Sequence, residues 1–437
     1  MKRKIYNQLL EWKNKSNRKP LILLGVRQCG KTYIIEDFCR NEYNEYYTLN
    51  LFERNDVIEL YKSNINSDEK YKQLKLMIGF DFDKDNTILF IDEIQMCEEL
   101  ISDLKYFCEE HNNVNIICAG SLLGVKLKQL NKPFPVGKVW MLNMYPMDFE
   151  EFLMAFHEEP LIDYIKECFE KNKSMHELHN KAMAYYKNYL ITGGMPESIQ
   201  NMVDINNDYI KYDKQIISSI LESYFNDMKQ HVKSPIESLK IRSLYDSLPN
   251  QLSNSSHKFQ YSKINKNAKS REYDNPLDWL LASNMVLKVN SVMTPEKPLK
   301  GFENIDTFKL FLSDVGILKH LLNIDSNDIL QDQLGLYKGI IAENYVANQL
   351  VENDVKLFYW KSKDEAEIDF LIETKDGVIP LEVKASDNTQ SKSLKIYNDL
   401  YKPNYMIRIS SKDFGYNPDA KIKSIPLYAV FLIKYLQ

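Results

Sequence analysis

Residues 20–38 read PLILLGVRQCGKTYIIEDF, and the fold is decided here. Residues 21–24 are an apolar run suited to a buried strand. Gly25-x-x-x-x-Gly30-Lys31-Thr32 follows, and then a helical pattern, TYIIEDFCR. Strand, glycine-bounded loop and helix are the context that a phosphate-binding Walker A loop requires. Gly25 and Gly30 let the backbone curl close to a ligand. Successive N–H groups and the helix N-terminus attract phosphate oxygens. Lys31 can neutralise β- and γ-phosphates, and the Thr32 hydroxyl can ligate Mg²⁺.

A second stretch, NTILFIDEIQ (86–95), reads as another apolar strand ending in Asp92-Glu93. That is a Walker B pattern, in which Asp92 holds Mg²⁺ and Glu93 polarises the attacking water. An acidic pair at a strand end can also cap the next helix. A third strand, VNIICAGSLLG (114–124), runs to Ser121.

With these three strands the chain resembles AAA-type ATPases. The resemblance implies that Ser121 is the polar sensor beside Walker B, facing the γ-phosphate or the water. Arg27, inside the loop, is expected to contact phosphate or a neighbouring copy. The loop as it stands, Gly25-Val26-Arg27-Gln28-Cys29-Gly30-Lys31-Thr32, resembles one bacterial and archaeal group of STAND-like ATPases with a C-terminal domain of unknown function. YPMDFEEFL (145–153) and ITGGMPESI (191–199) are similar to later landmarks of that group. Its G-x-P motif matches Gly194-Met195-Pro196, which implies that Pro196 lies against adenine; the alternative is a turn between helices.

Beyond residue 155 the pattern turns helical. HELHNKAMAYYKNYLITGG (176–194) carries apolar residues at three- and four-residue spacing, as does IKYDKQIISSILESYFNDM (210–228). Residues 229–271 hold nine cations against two acids: Lys229, Lys233, Lys240, Arg242, Lys258, Lys263, Lys266, Lys269 and Arg271 against Glu237 and Asp246. Residues 250–256, NQLSNSS, read as a loop. Helix, turn, helix and a β piece at 285–292 follow. A winged helix-turn-helix fits this order, and the family resemblance agrees. Such a module can contact DNA phosphates, or it can pack on a nucleotide domain and touch no DNA.

Near the C-terminus, GIIAENYVANQLVEN (339–353) reads as an amphipathic helix containing Glu343. VKLFYWKS (355–362), EIDFLIET (367–374) and VIPLEVKA (378–385) read as strands, with Asp376-Gly377 as a hairpin turn. A helix and the strand of YKPNYMIRIS (401–410) complete the block. Glu382 and Lys384 share one strand face, and Asp369 lies across the hairpin. The block resembles the PD-(D/E)xK nuclease superfamily. The resemblance implies that Asp369, Glu382 and Lys384 are catalytic, with Glu343, Asp369 and Glu382 around Mg²⁺. Alternating charged and apolar residues also describe any half-buried strand.

Composition sets the frame. The chain has 437 residues, enough for two to four domains, and apolar residues make up 44%, enough for large cores. A net charge of −5 excludes a polycation, so nucleic-acid contact must use a local patch. The six cysteines, none in a CxxC pair, argue against a disulfide framework or zinc ribbon and suit a reducing cytosol. No apolar run approaches the roughly 18 residues of a membrane span.

The expected architecture is α/β: an AAA-type ATP-binding domain (1–155), a helical lid (156–225), a winged-helix-like region (226–330) and a nuclease-like domain (331–437). The expected cofactors are ATP and Mg²⁺. The expected partners are DNA and further copies of the chain, with no membrane and a cytoplasmic location. The reading is of an ATP-hydrolysing protein acting on DNA. Its alternative is an ATP-driven switch whose C-terminal domain only binds a partner.

Overall fold

The computed structural model describes residues 1–230, 232, 234–253, 258–362, 366–385 and 392–437. Lys233 and residues 254–256 of the expected loop lie outside them. The chain forms two compact units: Lys2–Tyr145 with Ala282–Asn284, and Pro146–Leu281 with Met285–Gln437.

The first unit contains, in order, α1 (Ile5–Lys13), β1 (Leu21–Gly25), α2 (Lys31–Glu42), β2 (Glu45–Asn50), α3 (Asn55–Lys62), α4 (Ser67–Ile78), β3 (Thr87–Asp92), α5 (Glu98–Glu110), β4 (Ile116–Ala119), α6 (Leu123–Lys128) and β5 (Trp140–Met144). Its strands form one parallel sheet in the order β2-β3-β4-β1-β5. β3 and β4 are buried along their whole length. This is why both read as unbroken apolar runs: a parallel sheet is covered on both faces. Each buried Ile, Leu or Phe there contributes roughly 1.5–3 kcal/mol. The order puts β1 between β4 and β5, with β4 separating it from β3. The ends of β1, β3 and β4 therefore lie together at one sheet edge, where parallel α/β sheets bind ligands.

The second unit opens with helices: α7 (Phe149–Ala155), α8 (Glu159–Lys171), α9 (Glu177–Thr192), α10 (Pro196–Asp204), α11 (Gln215–Gln230), α12 (Pro235–Leu252) and α13 (Ser270–Ala282). Residues 250–252, expected in a loop, instead close α12. Leu248, Gln251 and Leu252 are buried there, so packing holds the helix through its internal Pro249. Strands β6 (Val286–Val292) and β7 (Glu303–Leu312) come next, then α14 (Val315–Leu321), α15 (Ser326–Leu330), α16 (Tyr337–Glu352), β8 (Phe358–Lys361), β9 (Glu367–Thr374), β10 (Gly377–Lys384), α17 (Lys392–Tyr401), β11 (Met406–Ser410), β12 (Gly415–Asn417) and β13 (Ile422–Pro426).

All eight strands of this unit form one mixed sheet, ordered β12-β13-β11-β10-β9-β8-β6-β7. The β6–β7 pair is thus not a separate wing; β6 pairs in parallel with β8 and continues the sheet. The edge strand β7 is held by α16. The Asn344 side chain accepts from Leu312 N (2.9 Å) and donates to Leu312 O (3.0 Å), and Asn348 donates to the same carbonyl at 2.8 Å. Residues 340–350 of α16 are all buried, so the helix is not simply amphipathic. Its polar side chains tolerate burial because they are hydrogen-bonded: Gln349 Oε1 accepts from Phe149 N at 2.8 Å.

Candidate active site and a second charged cluster

At the end of β1 the chain turns through Gly25 to Gly30. A side chain on Gly25 would place its Cβ 2.3 Å from Met144 O, so only glycine fits beside β5. Gly30 has φ +93° and leads directly into α2, a conformation that L side chains resist. Lys31 is buried and donates to Gly25 O and Val26 O, each at 2.9 Å. Its ammonium therefore lies over the loop, where phosphate oxygens can take over from those carbonyls. Arg3, ahead of α1, braces the loop by donating to Cys29 O (2.8 Å) and Tyr145 O (2.7 Å). Nothing in the N-terminal sequence signalled that role, because the contact spans the unit. Arg27 lies within the same turn, half-buried.

Walker A and Walker B meet at one hydrogen bond: Thr32 Oγ1 donates to Asp92 Oδ2 at 3.0 Å. Burial pushes the Asp92 carboxyl above its usual range, with the Thr32 bond opposing and Glu93 adding to the rise. A hydroxyl and a carboxylate so placed fit Mg²⁺, which takes few protein ligands and keeps several waters. Glu93 has φ +55°, unusual for a residue with a side chain. Its carboxylate accepts from Gln95 Nε2. Gln95 in turn fills the space over Gly120, where an added Cβ would meet Gln95 Oε1 at 1.7 Å. Ser121 follows immediately, half-buried just past β4. The Lys31, Thr32, Asp92, Glu93 and Ser121 positions thus converge at one sheet edge, as the strand order requires.

Gln95 was within the Walker B stretch but carried no expected role. Its signal was available: a polar residue two positions past the acidic pair, buried in an otherwise apolar turn. Gln95→Ala is expected to lower kcat for ATP roughly ten- to a hundredfold by freeing Glu93, with KM for ATP unchanged. Steady-state kinetics check this; an equal rise in KM would mean that the loop itself had moved.

Comparison with known proteins agrees with this geometry. Residues 17–153 match the family described as AAA domain. The first unit has an AAA-type P-loop fold. Two further matches are to domains of unknown function, DUF8612 over residues 183–328 and DUF4143 over residues 338–430. No curated protein matches. Among solved structures, the chain is similar to a Walker-type ATPase of Pyrococcus abyssi at 16% identity and TM-score 0.44, over 74% of this chain and 95% of that one. It is also similar to the Aeropyrum pernix ORC1 protein in complex with DNA, at 12% identity and TM-score 0.28, over 76% and 92% of the two chains. A STAND protein of Pyrococcus horikoshii with a tetratricopeptide repeat sensor matches at 15% identity and TM-score 0.28, over 78% of this chain and 45% of that one.

Outside the AAA domain, Pro196 opens α10 in the second unit. The preceding turn is tied down by Asp314, whose carboxylate accepts from Gly194 N (2.6 Å) and caps α14 through Ile317 N (2.9 Å).

The second unit holds its own charged cluster. The β9–β10 register pairs Phe370 with Leu381, so Asp369 and Glu382 fall at the next opposed position. The hairpin loop is Lys375-Asp376, one residue earlier than expected, because Gly377 already pairs with Thr374. Asp369 Oδ2 accepts from Val383 N at 2.8 Å, and Glu382 pairs with Lys384 at 2.8 Å. A residue far away in sequence joins them. Lys309 of β7 is fully buried, 2.6 Å from Glu367 and 3.9 Å from Glu343.

The electrostatics follow. Burial pushes Asp369 up to about 8, with Glu343 adding and Lys309 opposing. Burial also raises Glu382, against the pull of Lys384. Burial would lower Lys309, but Glu343 and Glu367 overcome it and raise the ammonium well above its usual range. Among the described residues no three His, Cys, Asp or Glu side chains come together as a metal-holding group. Lys309 answers Glu343 and Lys384 answers Glu382, while Asp369 is raised and accepts from Val383 N, so the three do not fit a three-carboxylate Mg²⁺ site. Among the described residues no helix is long and apolar enough to cross a membrane.

Proposed function

We propose that the chain binds and hydrolyses ATP with Mg²⁺ at the Walker site and uses its second unit on DNA. The Thr32–Asp92 hydrogen bond carries the first half, because it joins the two side chains that a nucleotide-bound Mg²⁺ requires. When bound, Mg²⁺ supplies charge neutralisation at the β- and γ-phosphates. Thr32 and Asp92 hold and orient that ion, Lys31 takes phosphate oxygens, and Glu93, steadied by Gln95, accepts a hydrogen bond from the attacking water. Arg27 and Ser121 are proposed to touch phosphate or that water.

DNA contact is assigned to the segment leading into α13. Lys258, Lys263, Lys266 and Lys269 are exposed there, and Arg271 is exposed in the first turn of α13. The exposed side of α13 itself carries Glu272, Asp274 and Asp278, which would repel a phosphate backbone. The segment therefore binds phosphates without α13 entering a groove, and the contact is independent of base sequence. With Lys263, Lys266 and Lys269 changed to Glu, duplex affinity is expected to fall at least about tenfold at low salt, with a shallower salt dependence. Fluorescence anisotropy across a salt series reads this. Unchanged affinity and slope would remove the assignment.

The nuclease-like arrangement of Asp369, Glu382 and Lys384 is proposed as a second phosphate-facing site of that unit. A second reading has a specific observation in its favour. The buried Lys309 supplies charge that a metal would otherwise bring, which suits a domain that docks a partner under ATP control and does not cut.

A further inference from the structure

A cavity of about 410 Å³ lies within the second unit and shares no lining residue with the charged cluster of that unit. It is open on one side and lined by α9, α11, α14 and residues 323–325. Its apolar surface comes from Ile191, Tyr212, Ile217 and Ile324. At one side lies Lys319 of α14, a residue only 7% exposed. Its ammonium donates to Ser326 Oγ at 3.1 Å. The neighbouring carboxylate, Asp325, is paired with Lys214 at 3.3 Å. Among the described residues Lys319 thus has a hydroxyl partner but no carboxylate within ion-pair distance.

A buried ammonium without a counter-charge is costly. Burial pushes Lys319 down to about 8, with Lys214 adding to the fall and Asp325 opposing it. His320, also on the wall, is lowered by burial and by Lys319. The electrostatic demand of the cavity is therefore for an anion. Its volume lies in the range of small-molecule sites, and its lining is mixed, with polar residues beside the apolar ones.

We propose that this cavity binds a small amphipathic organic anion, with the charged head on Lys319 and the apolar body against Ile191, Ile217 and Ile324. The site adjoins the Gly193-Gly194 turn. Gly316, on the same wall, lies so close that an added Cβ would meet Gly193 N at 2.7 Å. Occupancy therefore bears directly on the turn that Asp314 fixes to α14. This assigns an effector site whose lining residues include none of the Walker residues and none of the cations at 263–271.

Octanoate is the probe: one carboxylate on an apolar tail that the cavity can hold. Isothermal titration of the full chain should give saturable one-to-one binding. Lys319→Met should weaken it at least tenfold, and Lys319→Arg should keep most of it. Ser218→Phe, which puts a bulky ring on the lining and leaves Lys319 in place, should also abolish binding, and it serves if Lys319→Met does not fold. Inorganic phosphate, lacking the apolar body, should bind at least tenfold more weakly. Equal octanoate affinity in wild type and the folded variants, or no saturable binding to wild type, overturns the proposal. Phosphate binding as tight as octanoate overturns the assignment of an amphipathic ligand.

Discussion

Lys31→Ala is expected to lower ATP turnover by about a hundredfold or more, the scale of removing one preorganised group that stabilises transition-state charge. The Lys31 ammonium is buried over the loop, 2.9 Å from each of two of its carbonyls, so it is already held where phosphate arrives. Little side-chain freedom is lost on binding, and its charge acts in a partly dried site where electrostatics are strong. The loop glycines and the Arg3 brace remain in the variant, so the backbone cradle persists. Nucleotide affinity should fall as well, because the ground-state β-phosphate also uses this charge. Glu93→Gln separates the two roles: it should abolish turnover and leave ATP binding near wild type. A coupled phosphate-release assay and equilibrium binding of a fluorescent ATP analogue measure both. Turnover by Lys31→Ala at the wild-type rate would show that residues 25–32 are not the catalytic loop.

The strand, loop and helix of the candidate nucleotide site were legible because that pattern is local. Residues 21–32 encode strand, loop and helix start within a dozen positions, and β3 and β4 announce themselves as apolar runs. What escaped was set by contacts distant in sequence. Arg3 reaches Cys29 and Tyr145, and Lys309 reaches Glu343 and Glu367. Lys309 in particular sits in a strand whose register puts an ammonium into a core, a placement no periodicity signals. α16 was misjudged for a related reason. Asn344, Asn348 and Gln349 look like a solvent face, yet each finds a buried backbone partner supplied by another element. The β6–β7 pair reads alike from sequence whether it forms a wing or extends a sheet. Its pairing with β8 decides, and that pairing is made across more than 60 residues.

The same cluster yields a stability prediction. Asp369 in the folded chain holds its proton up to about pH 8, whereas a carboxyl in the unfolded chain releases it near 4. Between those values the folded state binds more protons than the unfolded state, so raising the pH favours unfolding. The contribution is intact below about pH 4, declines through the interval, and is fully lost above about pH 8. Asp369→Asn removes the titration while keeping the side-chain shape and an oxygen that can accept from Val383 N. The variant should therefore match wild type near pH 4 and exceed it by a few degrees in Tm at pH 8. Glu343 and Lys309 sharpen the test. Glu343 raises Asp369 and Lys309 lowers it, so Glu343→Gln should move the midpoint of the pH dependence down towards neutrality. Thermal unfolding followed by circular dichroism across pH 4–9 distinguishes the outcomes. A wild-type profile that is flat, or that rises over this range in parallel with Asp369→Asn, would mean that Asp369 is ionised in the fold. If Asp369→Asn is both more stable at pH 8 and inactive on nucleic acid, the strained carboxylate is there for chemistry. If it is more stable and partner binding persists, the cluster with Lys309 serves docking.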